Sequence, residues 1–344
     1  MPEDEIIGKL THYYRIHQPD LFNPQISLDW VNTIGWESEI YAYTLTSGKA
    51  EQRHSEQRVL RLLTGGSAED AVREYQFLAL LNKAGYPVPE VYALGDVNIG
   101  LKYPFIIMQC IEGSNFADRF NNALYKDAPS LQQFITLFRR LHTLDWQSYI
   151  ESPDVFEKPG DPYFHFDRVL ALYQHYLSQA GLSAFDPVMA WLKNQRHRAT
   201  CSHSSIVHLD FHQNNILEDI DGKLFVIDWT SAEISDFRFD LAWTLTLALA
   251  YRGDSGRRLI LEAYEHHLGQ AVLALDVFEV AALLRRIGSV MISLIAGPEA
   301  LGMRPEAAEV MQQDVEPLTR LYKHLKNLTG LDLHGIQSFI EKLT

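Results

Sequence analysis

The stretch Ile206-Val-His208-Leu-Asp210-Phe-His212-Gln-Asn214-Asn215, followed shortly by Leu224-Phe-Val-Ile-Asp228-Trp229, constrains this chain more than any other feature. It reads as H-x-D, an Asn five residues after that Asp, and a second Asp closing an apolar run. Phosphoryl transfer from a nucleotide needs such a set. One carboxylate orients or deprotonates the attacking hydroxyl, a second binds magnesium, and an amide oxygen helps to hold a second ion. Between Asn215 and Asp228 two short β-type runs flank an Asp221-Gly222 turn signal. A hairpin is expected there, folding Asp228 back toward Asp210 and Asn215.

The segment resembles the catalytic core of the aminoglycoside phosphotransferase and choline kinase family, small-molecule kinases with a protein-kinase-like fold. The family pattern is H-G-D-x-x-x-x-N, then I-D-W or I-D-F, then D-x-x-x-D-L-A. It is met by His208, Asp210, Asn215, Ile227-Asp228-Trp229 and Asp236-Phe-Arg-Phe-Asp240-Leu-Ala242. Leu209 stands where the family usually has Gly, which restricts the backbone and leaves the chemistry intact. The resemblance spans about residues 28–250 and implies an α+β fold of two lobes: a small β-rich nucleotide-binding lobe (1–110, with a leading helix) and a mainly helical lobe (111–344) carrying the catalytic loop and acceptor pocket.

Local patterning agrees with a β-rich front and a helical back. Ile6, Ile7, Leu10, Tyr13 and Tyr14 recur at helical spacing within residues 4–17. Strand-like runs follow at 26–31, 39–46, 57–63 and 105–111, interrupted by a helix over 68–83 that Gly85 and Pro87 close. Leu131, Phe134, Phe138 and Leu141 share one helical face, with His142 read as packing, and residues 236–251 are apolar almost all round, as in a buried central helix. The lobe boundary is expected near residues 109–113.

A second constellation lies in the front part. Arg61 sits inside the apolar strand Arg58-Val-Leu-Arg61-Leu-Leu63, and Glu74 shares a helical face with Phe77, Leu78 and Leu81. Buried charges need partners, so the two are expected to pair with each other. A purely structural ion pair would produce the same letters. The resemblance implies more: Arg61 matches the phosphate-binding base of kinases, with arginine's rigid fork in place of lysine's point charge, and Glu74 its helix partner. For the phosphate-covering turn there is only Thr33-Ile-Gly35-Trp-Glu-Ser38, in which Gly35 and Ser38 would turn backbone N–H groups toward phosphates; an ordinary surface turn explains the same residues. Phe105-Ile-Ile-Met-Gln109-Cys-Ile111-Glu-Gly113 resembles the interlobe hinge, where the backbone of Gln109 to Ile111 would hold the base of ATP or GTP.

The roles implied are Asp210 as catalytic base or hydroxyl-orienting group, Asp228 and Asn215 as magnesium ligands, His208 as a structural residue, and Asp240 as a tether of the catalytic loop. His212 and Asn214 carry no implied chemistry. A metal-dependent hydrolase is the competing reading: on an extended strand His208, Asp210 and His212 would share a face and ligate an ion. It leaves Asn215, Arg61 and Glu74 unexplained. A nucleotide-binding pseudokinase is the third.

Composition bounds the partners. The chain has 344 residues, 47% of them hydrophobic, enough for two real cores, and a net charge of −14, which disfavours nucleic acid and anionic membrane. Its two cysteines, Cys110 and Cys201, make no disulfide framework, and the start Met-Pro-Glu-Asp-Glu shows no secretory pattern, so a cytoplasmic location is expected. The acceptor is expected to be a small molecule such as an aminoglycoside or amino-alcohol. Glu233 and Asp236, near the catalytic loop in sequence, would favour an amine; Asp236 fits a helix cap equally well.

Overall fold

A computed structural model describes residues 2–32, 38–49, 53–95, 101–123, 128–150, 160–301, 303, 305, 307–312 and 315–343. In chain order the front elements are α1 (Glu3–His17), β1 (Gln25–Asn32), β2 (Glu39–Ser47), β3 (His54–Leu62), α2 (Ala68–Lys83), β4 (Val91–Gly95), β5 (Phe105–Gln109) and β6 (Gly113–Asn115). Then come α3 (Phe116–Ala123), α4 (Ala128–His142), α5 (Phe164–Gln179), α6 (Asp186–Gln195), β7 (Ser205–Val207), β8 (Ile216–Asp219), β9 (Leu224–Val226) and β10 (Glu233–Ser235). The chain finishes with α7 (Phe237–Leu268), α8 (Leu275–Ala296), α9 (Ala307–Gln312), α10 (Val315–Thr329) and α11 (His334–Glu341).

These elements form two compact units. The first comprises residues 1–114, 217–230 and 302–304. Its main sheet has the order β1-β2-β3-β5-β4, every neighbour antiparallel. One face is covered by α1, whose Ile6, Leu10, Tyr13 and Tyr14 pack with Tyr41, Tyr43, Leu45, Leu60, Leu62 and Phe105. Helix α2 starts at a reciprocal cap in which Ser67 Oγ accepts from the Asp70 N–H and the Asp70 carboxylate accepts from the Ser67 N–H. It runs over the expected residues and buries Ala71, Glu74, Phe77, Leu78 and Leu81.

Edge strand β4 was not foreseen: it is short, only Ala93 in it is buried, and the pairing slips between Val91 and Ala93. Strand β5 stops at Gln109 rather than Ile111. Beyond it lies a second sheet of order β6-β8-β9. The expected hairpin forms β8 and β9, with Gly222 in the left-handed region (φ 79°) that a side chain would resist. Gly113 is needed too, because a Cβ there would lie 1.9 Å from the Glu218 carbonyl oxygen.

The second unit comprises residues 115–216, 231–301 and 305–344. It is helical apart from the two-stranded pair β7–β10. Phe134, Phe138 and Leu141 of α4 are fully buried, and Phe138 stacks on Phe211 of the catalytic loop at 4.2 Å. The first half of α7 is buried on nearly every side, as its all-round apolar character requires, and a break at Gly253 separates it from the half-exposed second part. Helix α8 is buried along most of its length and carries four charged residues in that setting: Glu279, Arg285, Arg286 and Asp276.

Candidate active site

The catalytic loop lies wholly within the second unit. Strand β7 ends at Val207, and Leu209 then adopts φ 58°, a conformation that costs a branched residue about 1–2 kcal/mol relative to ordinary backbone. The strain explains why glycine is usual there. It is held by hydrogen bonds: the backbone N–H groups of His208 and Leu209 donate to the two oxygens of Asp240 (2.7 and 2.9 Å), and Leu209's carbonyl accepts from Arg285 Nη1 (2.9 Å). Asp240 is thus the tether of the loop. His142, read from sequence as packing, joins the same buried network: its Nε2 lies 3.1 Å from Asp240 Oδ2 and its Nδ1 2.8 Å from the Tyr264 hydroxyl.

The turn at Leu209 removes the geometry that the hydrolase alternative needed. His208, Asp210 and His212 do not sit on one extended strand, and among the described residues no group of three or more His, Cys, Asp or Glu can hold a metal ion.

Asp210 is surrounded by donors. Asn215 Nδ2 donates to its backbone carbonyl (3.0 Å) and to Oδ2 (3.2 Å), while the Trp243 indole N–H donates to Oδ1 (2.9 Å). His212, to which the sequence assigned no chemistry, stands 3.3 Å from Oδ2 through Nε2. The Asn214 N–H donates to His212 Nδ1 (3.2 Å), which leaves Nε2 as the proton-bearing nitrogen facing the carboxylate. Burial would raise Asp210's pKa, but the His212 imidazole, the Trp243 N–H and the nearby His208 ring outweigh it and hold the carboxyl well below the usual carboxylate range. Its side chain is nevertheless 35% exposed and so open to solvent.

Trp243 gave no signal in the sequence. It is one more apolar letter in an apolar helix, and only its N–H direction reveals the link to Asp210.

The acidic residues expected to draw a cationic acceptor are already neutralised. Glu233 pairs with Arg168 at 2.8 Å. Asp236 caps α7 by accepting from the Arg238 N–H and is also paired with the Arg238 guanidinium at 2.6 Å.

The second cluster lies wholly within the first unit. Arg61 meets Glu74, as expected, at 3.3 Å, but its shorter contact is with Asp228 Oδ1 at 2.7 Å. Glu74 is 1% exposed, and a carboxylate so buried needs partners such as that guanidinium. Asp228 has φ 66°, a left-handed conformation that Asp tolerates better than most residues, and Thr230 Oγ1 donates to the same oxygen at 3.1 Å. Its neighbour Trp229 anchors the turn by an edge-to-face contact with Tyr86 and an N–H bond to the Val226 carbonyl.

Of the other expected nucleotide contacts, Ser38 is buried just before β2, and Gly35 lies outside the described residues. The Gln109 N–H is taken by the Glu90 carbonyl (2.8 Å) and its side-chain oxygen accepts from the Glu90 N–H. The Gln109 N–H is thus committed, and the chain leaves β5 at Cys110.

Comparison with known proteins accords with this arrangement. The chain belongs to the phosphotransferase enzyme family, whose signature matches residues 33–301. Among curated proteins it is 27% identical over 206 residues to the mouse acyl-CoA dehydrogenase family member 10, covering 57% of this chain but only 18% of that protein. Among solved structures, a Ralstonia eutropha protein assigned as an aminoglycoside phosphotransferase superposes with a TM-score of 0.62 at 18% identity, over 92% of this chain and 98% of that one. A Plasmodium vivax ethanolamine kinase gives 0.57 at 13%, over 97% and 91%. Aminoglycoside phosphotransferase APH(4)-Ia, in a ternary complex with AMP-PNP and hygromycin B, gives 0.57 at 15%, over 94% and 100%. The fold is the kinase-like α+β fold: an antiparallel sheet in one unit and a large helical second unit. No described helix is long and apolar enough to cross a membrane.

Proposed function

We propose that the protein is an ATP- and magnesium-dependent phosphotransferase that phosphorylates a hydroxyl group of a small molecule. The observation that carries the reading is Asp210: an ionised carboxylate fixed by Trp243, Asn215 and His212 yet open to solvent. In the reaction the acceptor oxygen bonds to the γ-phosphorus, the bond from that phosphorus to the β,γ-bridging oxygen breaks, and ADP leaves. The acceptor's proton passes to Asp210 and then to water.

Arg61 would bind phosphate oxygens, oriented by Glu74, and the backbone near Cys110 and Ile111 would hold the base. Each candidate magnesium ligand offers hard oxygen: Asp228, in the first unit, its carboxylate, and Asn215, in the second, the amide oxygen left when its N–H groups are spent on Asp210. When bound, magnesium would neutralise charge on the phosphates. The AMP-PNP of the APH(4)-Ia complex supports a nucleotide donor, and hygromycin B and ethanolamine in related proteins support an alcohol acceptor.

The test is a screen with labelled ATP against small alcohols, alongside thermal unfolding. Mg-ATP should raise Tm by mass action. Asp210→Asn should keep that shift and lower kcat by ~10²–10⁴-fold, the range for loss of a general base. Wild-type turnover by Asp210→Asn, or no response of Tm to Mg-ATP, would refute the assignment.

A further inference from the structure

We infer that Arg285 is an acceptor-binding residue and that the preferred acceptor is an alcohol carrying a carboxylate. The inference rests on the phosphotransferase reading and names the substrate class of that same site. Arg285 projects from α8, and its guanidinium lies 4.0 Å from the centre of the Trp243 ring, the ring whose N–H holds Asp210. Its Nη1 donates to the carbonyl of Leu209, the residue directly before Asp210. These two contacts fix the guanidinium beside the catalytic carboxylate within one compact unit.

What these contacts leave over is the point. An arginine has five N–H donors in a rigid plane, and a single carbonyl uses one of them. Elsewhere in this unit Arg168, Arg196, Arg198, Arg238 and Arg257 each have a carboxylate partner at 2.6–2.8 Å. Arg285 has none among the described residues, although acidic residues outnumber basic ones 44 to 30 in the chain. A guanidinium over an indole with most of its N–H donors uncommitted can grip a planar carboxylate through two parallel hydrogen bonds.

The surroundings agree. Tyr173 of α5 lies close enough to feel the charges of both Arg285 and Glu233. Burial, opposed by Arg285, pushes its phenol up to about 12, so it stays a neutral hydroxyl able to donate. Glu233 and Asp236, the acidic groups that would have drawn a cation, are committed to Arg168 and Arg238. With those two carboxylates committed, Arg285 is the cationic group left beside Asp210's loop to meet an acceptor's anionic group. Arg285's link to the neighbour of Asp210 places the carboxylate and the reacting hydroxyl close together, as in a short-chain hydroxy acid.

The experiment measures ADP formation by the full chain with Mg-ATP and three matched acceptor sets: short-chain hydroxycarboxylic acids, the corresponding hydroxyamides, and amino-alcohols. The acids should show the highest kcat/KM. Arg285→Gln should lower kcat/KM for the best acid by ~10–100-fold, mainly through KM, as expected for a lost hydrogen bond between charged groups. The same variant should change the matched amide far less, and Arg285→Lys should restore part of the preference. A residue that merely supports the Leu209 turn would lower acid and amide by the same factor, and that result overturns the inference. So does a preference for amides or amino-alcohols, or failure of every acid to accept phosphate. Transfer to a neutral or cationic acceptor would leave the phosphotransferase reading standing, whereas absence of any Mg-ATP-induced Tm shift and of any transfer would remove both.

Discussion

Replacing Trp243 by Phe removes the indole N–H from the candidate site while keeping an aromatic ring there. Phenylalanine keeps an aromatic face for Arg285 and fills most of the pocket of a residue that is 7% exposed. It cannot donate to Asp210 Oδ1, and among the described residues no other side-chain hydrogen bond holds that oxygen, since Asn215 and His212 approach Oδ2. A hydrogen bond to a charged acceptor contributes about 1.5–3 kcal/mol, which converts to roughly 10–150-fold. Part of that loss is offset, because a carboxylate with one donor fewer is the stronger base. We therefore expect the lower half of the range, a fall in kcat of roughly 10–40-fold. The nucleotide KM should hold, because Arg61 and Asp228 belong to the other compact unit. Initial rates of ADP release, run beside thermal unfolding, separate the effect from instability. A folded Trp243→Phe protein whose kcat lies within ~3-fold of wild type would show that the indole packs beside Asp210 without positioning it.

Two further perturbations address the backbone and the ion pairs. At Leu209 (φ 58°) the usual order of small residues should invert: Leu209→Gly should be at least as stable as Leu209→Ala in urea unfolding, where an ordinary site would disfavour Gly by ~0.5–1 kcal/mol. Finding Gly the less stable by that margin would mean that the loop relaxes rather than bears strain. Arg61→Met should destabilise by ~3–5 kcal/mol because it takes a guanidinium from the buried Glu74 carboxylate, and adding Glu74→Gln should recover part of that; strictly additive losses would show that the two charges are not coupled.

The sequence was most legible where one short loop carries the letters. Asp210 and Asn215 lie five positions apart and do meet by hydrogen bonds, and the Asp221-Gly222 signal did produce the hairpin. Helix α2 was legible because its start and stop are written in local letters, the Ser67–Asp70 cap and Gly85. What stayed hidden depends on direction in space. Period-two reasoning put His208, Asp210 and His212 on one face, and a single positive φ at Leu209 cancels it. Arg61 was matched to Glu74, thirteen positions away, but its shorter contact is with Asp228, 167 positions away, which periodicity within an element cannot show.

The hidden contacts share a physical character. Trp243, Arg285 and His142 lie in stretches whose pattern announces only burial, and each spends a polar group on the catalytic loop or on Asp240, its tether. An apolar helix can hide such groups because one N–H or one guanidinium scarcely alters its hydrophobic periodicity. Burial makes each of them matter, since a polar group withdrawn from water needs a partner. Here those partners are the strained backbone at His208–Leu209 and the carboxylate of Asp210. A loop held in an unfavourable conformation must be over-determined by its surroundings, and in this chain helices α4, α7 and α8 supply that restraint. The motif letters specify what chemistry the loop can perform, while the buried polar contacts from the helices hold it in the geometry that the chemistry needs. Substitutions in those helices should accordingly reach catalysis through the loop, even where the altered side chain never touches a substrate.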